Sequence, residues 1–88
     1  LPPREEYCDL AFQGTYGLDD GELIVLEDYA RVVSRAQGAE AVRGADRKVS
    51  AVRLRGTTGP PSEAAVRDVE DFARDLAARG GGSGLGWA

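Results

Sequence analysis

Apolar and polar residues alternate from Tyr7 to Gln13. Cys8, Leu10 and Phe12 fall on one side, and Tyr7, Asp9 and Gln13 on the other, the period-2 pattern of a half-buried strand. Gly14 and Gly17 then punctuate a loop. Over residues 18–38 two patterns compete. Leu23, Leu26, Ala30 and Val33 recur at three- and four-residue steps behind Asp19 and Asp20, with Gly38 as a stop, which predicts an amphipathic helix. The Asp20-Gly21 dipeptide and the compact Leu23-Ile24-Val25-Leu26 run fit a hairpin instead. The breaker-free stretch from Glu27 to Gln37 favours the helix.

Ala39 to Gly44 reads as a short strand and Ala45-Asp46-Arg47 as a turn. Lys48 to Arg55 is a better strand, with Ser50, Val52 and Leu54 on one face and Val49, Ala51, Arg53 and Arg55 on the other. Gly56 to Pro61 is a loop rich in Gly, Thr and Pro. Ser62 is placed to cap a final helix, which Gly80 ends. Its stripe is Ala65, Val66, Val69, Phe72, Ala73, Leu76 and Ala77. Glu63–Arg67, Glu70–Arg74 and Asp75–Arg79 stand at i,i+4 with the acid first, the better orientation for helix ion pairs.

The predicted order is β-α-β-β-α, with Leu85 to Trp87 as a candidate C-terminal edge strand. An antiparallel sheet with two helices on one face buries every one of these stripes, so the expected class is α+β, of ferredoxin-like type. Residues 7–88 are expected to form a single domain behind a loose lead-in, residues 1–6. In that arrangement Phe72 and Leu76 pack in the core against Leu10 and Phe12. Gly80 to Gly86 is costly to order, and its Gly-Gly-Gly-Ser-Gly composition is also that of a flexible linker. The lone Trp87 is expected to pack back onto the domain, helped by strand hydrogen bonds or by a partner surface.

Composition narrows the function. With 88 residues the core is thin. One cysteine and no histidine exclude an internal disulfide framework and argue against a zinc site. No run of 18 apolar residues is present, so no spanning helix is expected and the cytoplasm is the default compartment. The absence of Met points to a processed or excised piece of a longer protein. Charge is segregated. Residues 1–29 carry eight acids and one base, residues 31–55 seven bases and two acids, and residues 62–88 five acids and three bases. Such polarity can orient a partner.

No catalytic constellation emerges. Cys8 has no histidine to take its proton and lies in phase with Leu10 and Phe12, which reads as a small buried hydrophobe. The acids Asp19, Asp20 and Glu22 suit a helix N-terminus and are too few and wrongly spaced for calcium. The glycine run follows a helix, whereas a phosphate cradle precedes one. No catalytic, metal or cofactor-binding residue is therefore assigned. Arg53 and Arg55 share a strand face and, with Arg47 or Lys48 near the turn, would make a basic platform if that face were open. Arg47, Arg53, Arg55 and Trp87 are the candidate partner-binding residues.

The C-terminal half carries a resemblance. The pattern Val66-x-x-Val69-Glu70-x-Phe72-Ala73-x-x-Leu76-Ala77, a glycine-containing bend and Gly86-Trp87 resemble the end of the regulator of ribonuclease activity B family. The strand Val49 to Leu54 and the Pro-containing loop fit the same register, while residues 7–44 fit by pattern alone. Gly84-Leu85 stand where members usually have Tyr-Asp, and the family's acidic extension is missing. The resemblance implies a small α+β protein that binds another protein, in that family the endoribonuclease E, and lowers its activity without catalysis or cofactor.

Three functions compete on the sequence. The first is a non-enzymatic protein-binding regulator or adaptor, including an inhibitor of a nuclease by direct contact. The second is a nucleic-acid-binding module using the basic central strand, which the net charge of −4 disfavours. The third is an excised domain of a larger enzyme. A homodimer is also open, because ferredoxin-like modules often pair sheets to bury a leftover apolar face.

Overall fold

Alternation and helical stripes resolve into five elements in the computed structural model, which describes residues 6–81. These are β1 (Tyr7–Tyr16), α1 (Asp20–Ser34), β2 (Gly38–Arg43), β3 (Val49–Arg55) and α2 (Glu63–Leu76), followed by a π-helical turn over Ala77–Gly81. The order is β-α-β-β-α, an α+β fold, and the hairpin alternative for residues 18–38 is replaced by α1. The expected edge strand at Leu85 to Trp87 and the docking of Trp87 lie outside the described residues. Among those residues no helix is long and apolar enough to cross a membrane.

Local chemistry explains the helix ends. Asp19 caps α1. Its Oδ1 accepts from the Glu22 N–H at 2.7 Å, and Glu22 Oε1 accepts from the Asp19 N–H at 2.9 Å, a reciprocal capping box. The helix stops at Ser34, four residues before the expected Gly38. Arg35 turns left-handed at φ 56°, and the Ala36 N–H closes back on the Arg31 carbonyl at 3.0 Å, which satisfies the last carbonyls as a glycine stop would. Gly38 opens β2 instead. Ser62 Oγ accepts from the Ala65 N–H at 3.1 Å and caps α2. Beyond α2 the turn carries Gly80 against α1, where an added Cβ would collide with the Glu22 carboxylate.

The sheet is antiparallel with strand order β1-β3-β2. Placing β3 between β1 and β2 is the split βαβ arrangement. The β2–β3 hairpin turns on Ala45, Asp46 and Arg47, with the Gly44 N–H on the Lys48 carbonyl at 3.0 Å and Arg47 at φ 67°. Both helices pack on one face. Between them and the sheet lie Leu10, Leu23, Leu26, Ala30, Val49, Val52, Leu54, Val69 and Ala73. A fully buried Leu-sized side chain contributes roughly 1.5–3 kcal/mol, so these residues carry most of the stability.

Three details depart from the pattern reading. β1 runs through Gly14 to Tyr16, because the chain bulges between Ala11 and Tyr16 rather than leaving the sheet. Val49, expected beside Arg53, is buried in the core. Ser50 has no partner in either ladder, so the strand gains one residue and its phase flips. Phe72 is only partly buried. It stacks on Tyr29 of α1 with ring centroids 4.0 Å apart, on the seam between the helices.

Candidate functional site

With both helices on one side, the other face of the sheet is free of helices, and strand register decides what stands on it. Residues paired across an antiparallel sheet share a face. The outer rows are Tyr7–Arg55–Gly38, then Asp9–Arg53–Glu40, then Ala11–Ala51–Val42. The alternate rows, Cys8–Leu54–Ala39 and Leu10–Val52–Ala41, face the helices. Cys8 is half-buried and forms no disulfide.

The central outer row is an ordered charge ladder. Arg53 Nε donates to Asp9 Oδ1 at 2.8 Å and Nη2 donates to Oδ2 at 3.1 Å. This fork-to-fork geometry fixes both side chains. The hydrogen bond from Arg53 lowers the Asp9 carboxyl, and the same bond raises the Arg53 guanidinium. Glu40 stands on the other flank of Arg53. Tyr7 lies one row away, 58% exposed. Gly38 gives room to Arg55, for a Cβ there would come within 2.7 Å of the Arg55 Nη2. Tyr7, Asp9, Glu40 and Arg53 line a groove of about 540 Å³. A smaller one of about 250 Å³ runs on toward Gly38 and Arg55.

Arg53 and Arg55 are thus brought together on an open face, as the alternation implied. Arg47 is not. It sits on the hairpin turn beyond the opposite end of β3, roughly 20 Å from Arg53 at about 3.3 Å per residue. Trp87 lies outside the described residues. The face is also not a basic platform, since acids flank Arg53 on both sides and one of them holds it. Among the described residues no three His, Cys, Asp or Glu side chains converge as metal ligands.

A second polar site escaped the pattern reading. Glu70, expected to pair with Arg74 on the helix surface, is 6% exposed. Its Oε1 accepts from the Gln13 N–H at 2.9 Å, and its Oε2 accepts from the Gly14 N–H at 2.9 Å and the Tyr16 hydroxyl at 2.5 Å. Burial alone would push this carboxyl up. The three donors, with Arg74 nearby, outweigh burial and hold it below the usual 4.5. Arg74 instead pairs with Asp71 at 2.6 Å and lies over the Tyr16 ring, 6.0 Å from its centroid. The signal was marginal: on the helical wheel Glu70 stands next to Ala77, just outside the apolar arc.

Glu70 and Glu27 do related work at the two edges of the sheet. Glu27 Oε2 accepts from the Ala41 N–H of β2 at 2.8 Å, and Glu70 takes two consecutive N–H groups of β1. Each carboxylate occupies main-chain donors that could otherwise recruit a foreign strand. No family model matches the chain, and neither a curated protein nor a solved structure matches it significantly.

Proposed function

We propose that the chain is a non-enzymatic protein-binding regulator or adaptor, and that its recognition surface is the helix-free face of the sheet. The observation that carries this reading is the exposed Tyr7 ring standing beside the bidentate Asp9–Arg53 pair. Tyr and Arg are the residue types enriched at the energetic centres of protein interfaces. A prepaired charge ladder gives orientation and register more than raw affinity, and it costs little further ordering on binding. A phosphate backbone would want unpaired cations, and Arg53 is committed to Asp9. The resemblance of residues 66–77 and Gly86-Trp87 to the regulator of ribonuclease activity B family names the first partner to try, endoribonuclease E, with inhibition by direct contact.

The test is a titration of the chain into endoribonuclease E, reading binding and RNA cleavage together. Saturable binding with falling cleavage is expected. Tyr7→Ala and Arg53→Ala should each weaken binding by about tenfold or more while leaving the melting temperature nearly unchanged. Absence of binding overturns the inhibitor reading. Binding indifferent to both substitutions moves recognition to another surface.

A further inference from the structure

On the side of the molecule away from that face, α1 presents an apolar stripe to solvent. Ile24 is 66% exposed, Val25 47% and Val32 59%. Helical spacing puts Gly21, Ile24, Val25, Asp28 and Val32 along one line of α1, while Leu23, Leu26 and Ala30 point into the core. The charges at the two ends of the helix are polarised. Asp20 stands at the N-terminal end, its side chain 97% exposed although it touches Arg43 at 3.2 Å. Arg35 stands exposed at the C-terminal end and makes no ion pair among the described residues. Midway, Asp28 accepts from its own Arg31 at 2.9 Å.

We infer that two copies of this chain pair through α1, antiparallel about a two-fold axis at Asp28. That symmetry sets Ile24 against Val32 of the second copy and covers both apolar ends of the stripe at once. It also brings the acidic first turn of each helix to Arg35 of the other. Gly21, which has no side chain, leaves space for that guanidinium. A parallel pairing would set acid on acid at one end and base on base at the other. At the axis the two Asp28 carboxylates approach, each already neutralised by its Arg31. The contact is isologous and closes at two chains. One 15-residue helix per copy spans about 22 Å. The interface therefore belongs to the small, reversible class. It leaves the helix-free sheet face of each copy outward, so the pairing is independent of the function proposed for that face.

Sedimentation equilibrium tests this. Raising the concentration from about 5 to about 500 µM at low salt should carry the mass from 9.3 kDa toward twice that value. Val32→Glu should raise the dissociation constant about tenfold or more with circular dichroism and melting temperature unchanged, because the site is exposed. Added salt should weaken pairing. In a Cys8→Ser background, Asp28→Cys should oxidise to a covalent dimer and Ile24→Cys alone should not. A protein that stays monomeric throughout overturns the inference. If it does so while Val32→Glu shifts Trp87 emission to the red, the occupant of the stripe is the chain's own C-terminal segment. A dimer indifferent to Val32→Glu, or one trapped by Ile24→Cys and not by Asp28→Cys, overturns the interface or its direction.

Discussion

Leu10, Val52 and Ala41 stand in one row on the helix-covered side of the sheet, and Asp9, Arg53 and Glu40 stand in the adjacent row on the open side. The same three strands supply both by alternation. Leu10, Val52 and Leu54 are fully buried, whereas Tyr7 keeps more than half its surface. One side holds the fold together and the other holds charges in a fixed pattern at little structural cost. Substitutions on the two sides should therefore separate stability from the recognition proposed for the open face.

The largest effect belongs to the covered side. Leu54→Ala should cost about 2–5 kcal/mol in urea denaturation, a large part of the 5–15 kcal/mol typical of a domain. A near-native midpoint would break the contrast at its root. Phe72→Ala should cost about 2–3 kcal/mol, less than the roughly 3–5 kcal/mol of a fully buried Phe, because its ring lies on the α1–α2 seam against Tyr29. A loss of about 4 kcal/mol or more would place Phe72 in the core after all.

Glu70→Gln should cost about 2 kcal/mol at neutral pH, since a charge-assisted acceptor of three hydrogen bonds is weakened. The pH dependence has a definite sign. A carboxyl held below its usual 4.5 in the folded state stabilises fully above that value, and its contribution is lost as pH falls through the lowered folded value. The acid limb of the stability curve should flatten in Glu70→Gln. An unaltered limb would remove Glu70 from the account of the β1 edge. The smallest effect is expected on the open side: Arg53→Ala should move Tm by no more than about 2 °C, because exposed ion pairs add little.

Much of this was legible in the residues. Asp19 and Ser62 announced their helices, Leu10 and Leu54 announced the covered face, and the alternation of Arg53 with Arg55 announced the open one. What stayed hidden depends on tertiary partners. The unpaired Ser50 flips the phase of β3, and no local pattern distinguishes that bulge from regular alternation, so alternation alone puts Val49 on the open face. Gly14 looks like punctuation until the Glu70 carboxylate is seen receiving its N–H. Glu70 looks like half of a surface pair until β1 lies across it. Arg35 closes α1 because Ala36 can bury behind it, although Gly38 is the more obvious stop. The acid opposite Arg53 comes from a strand 44 residues away, so composition shows two arginines where the fold shows a neutralised ladder.

The proposal that recognition belongs to the helix-free face predicts where a bound partner perturbs the chain. Chemical-shift mapping of the isotopically labelled chain during titration with endoribonuclease E tests it most directly. The expected result is perturbation concentrated on Tyr7, Asp9, Glu40, Arg53 and Arg55, with the exposed residues of α2 unmoved. Perturbation confined to the helix layer, with those five amides unchanged at saturation, would contradict it.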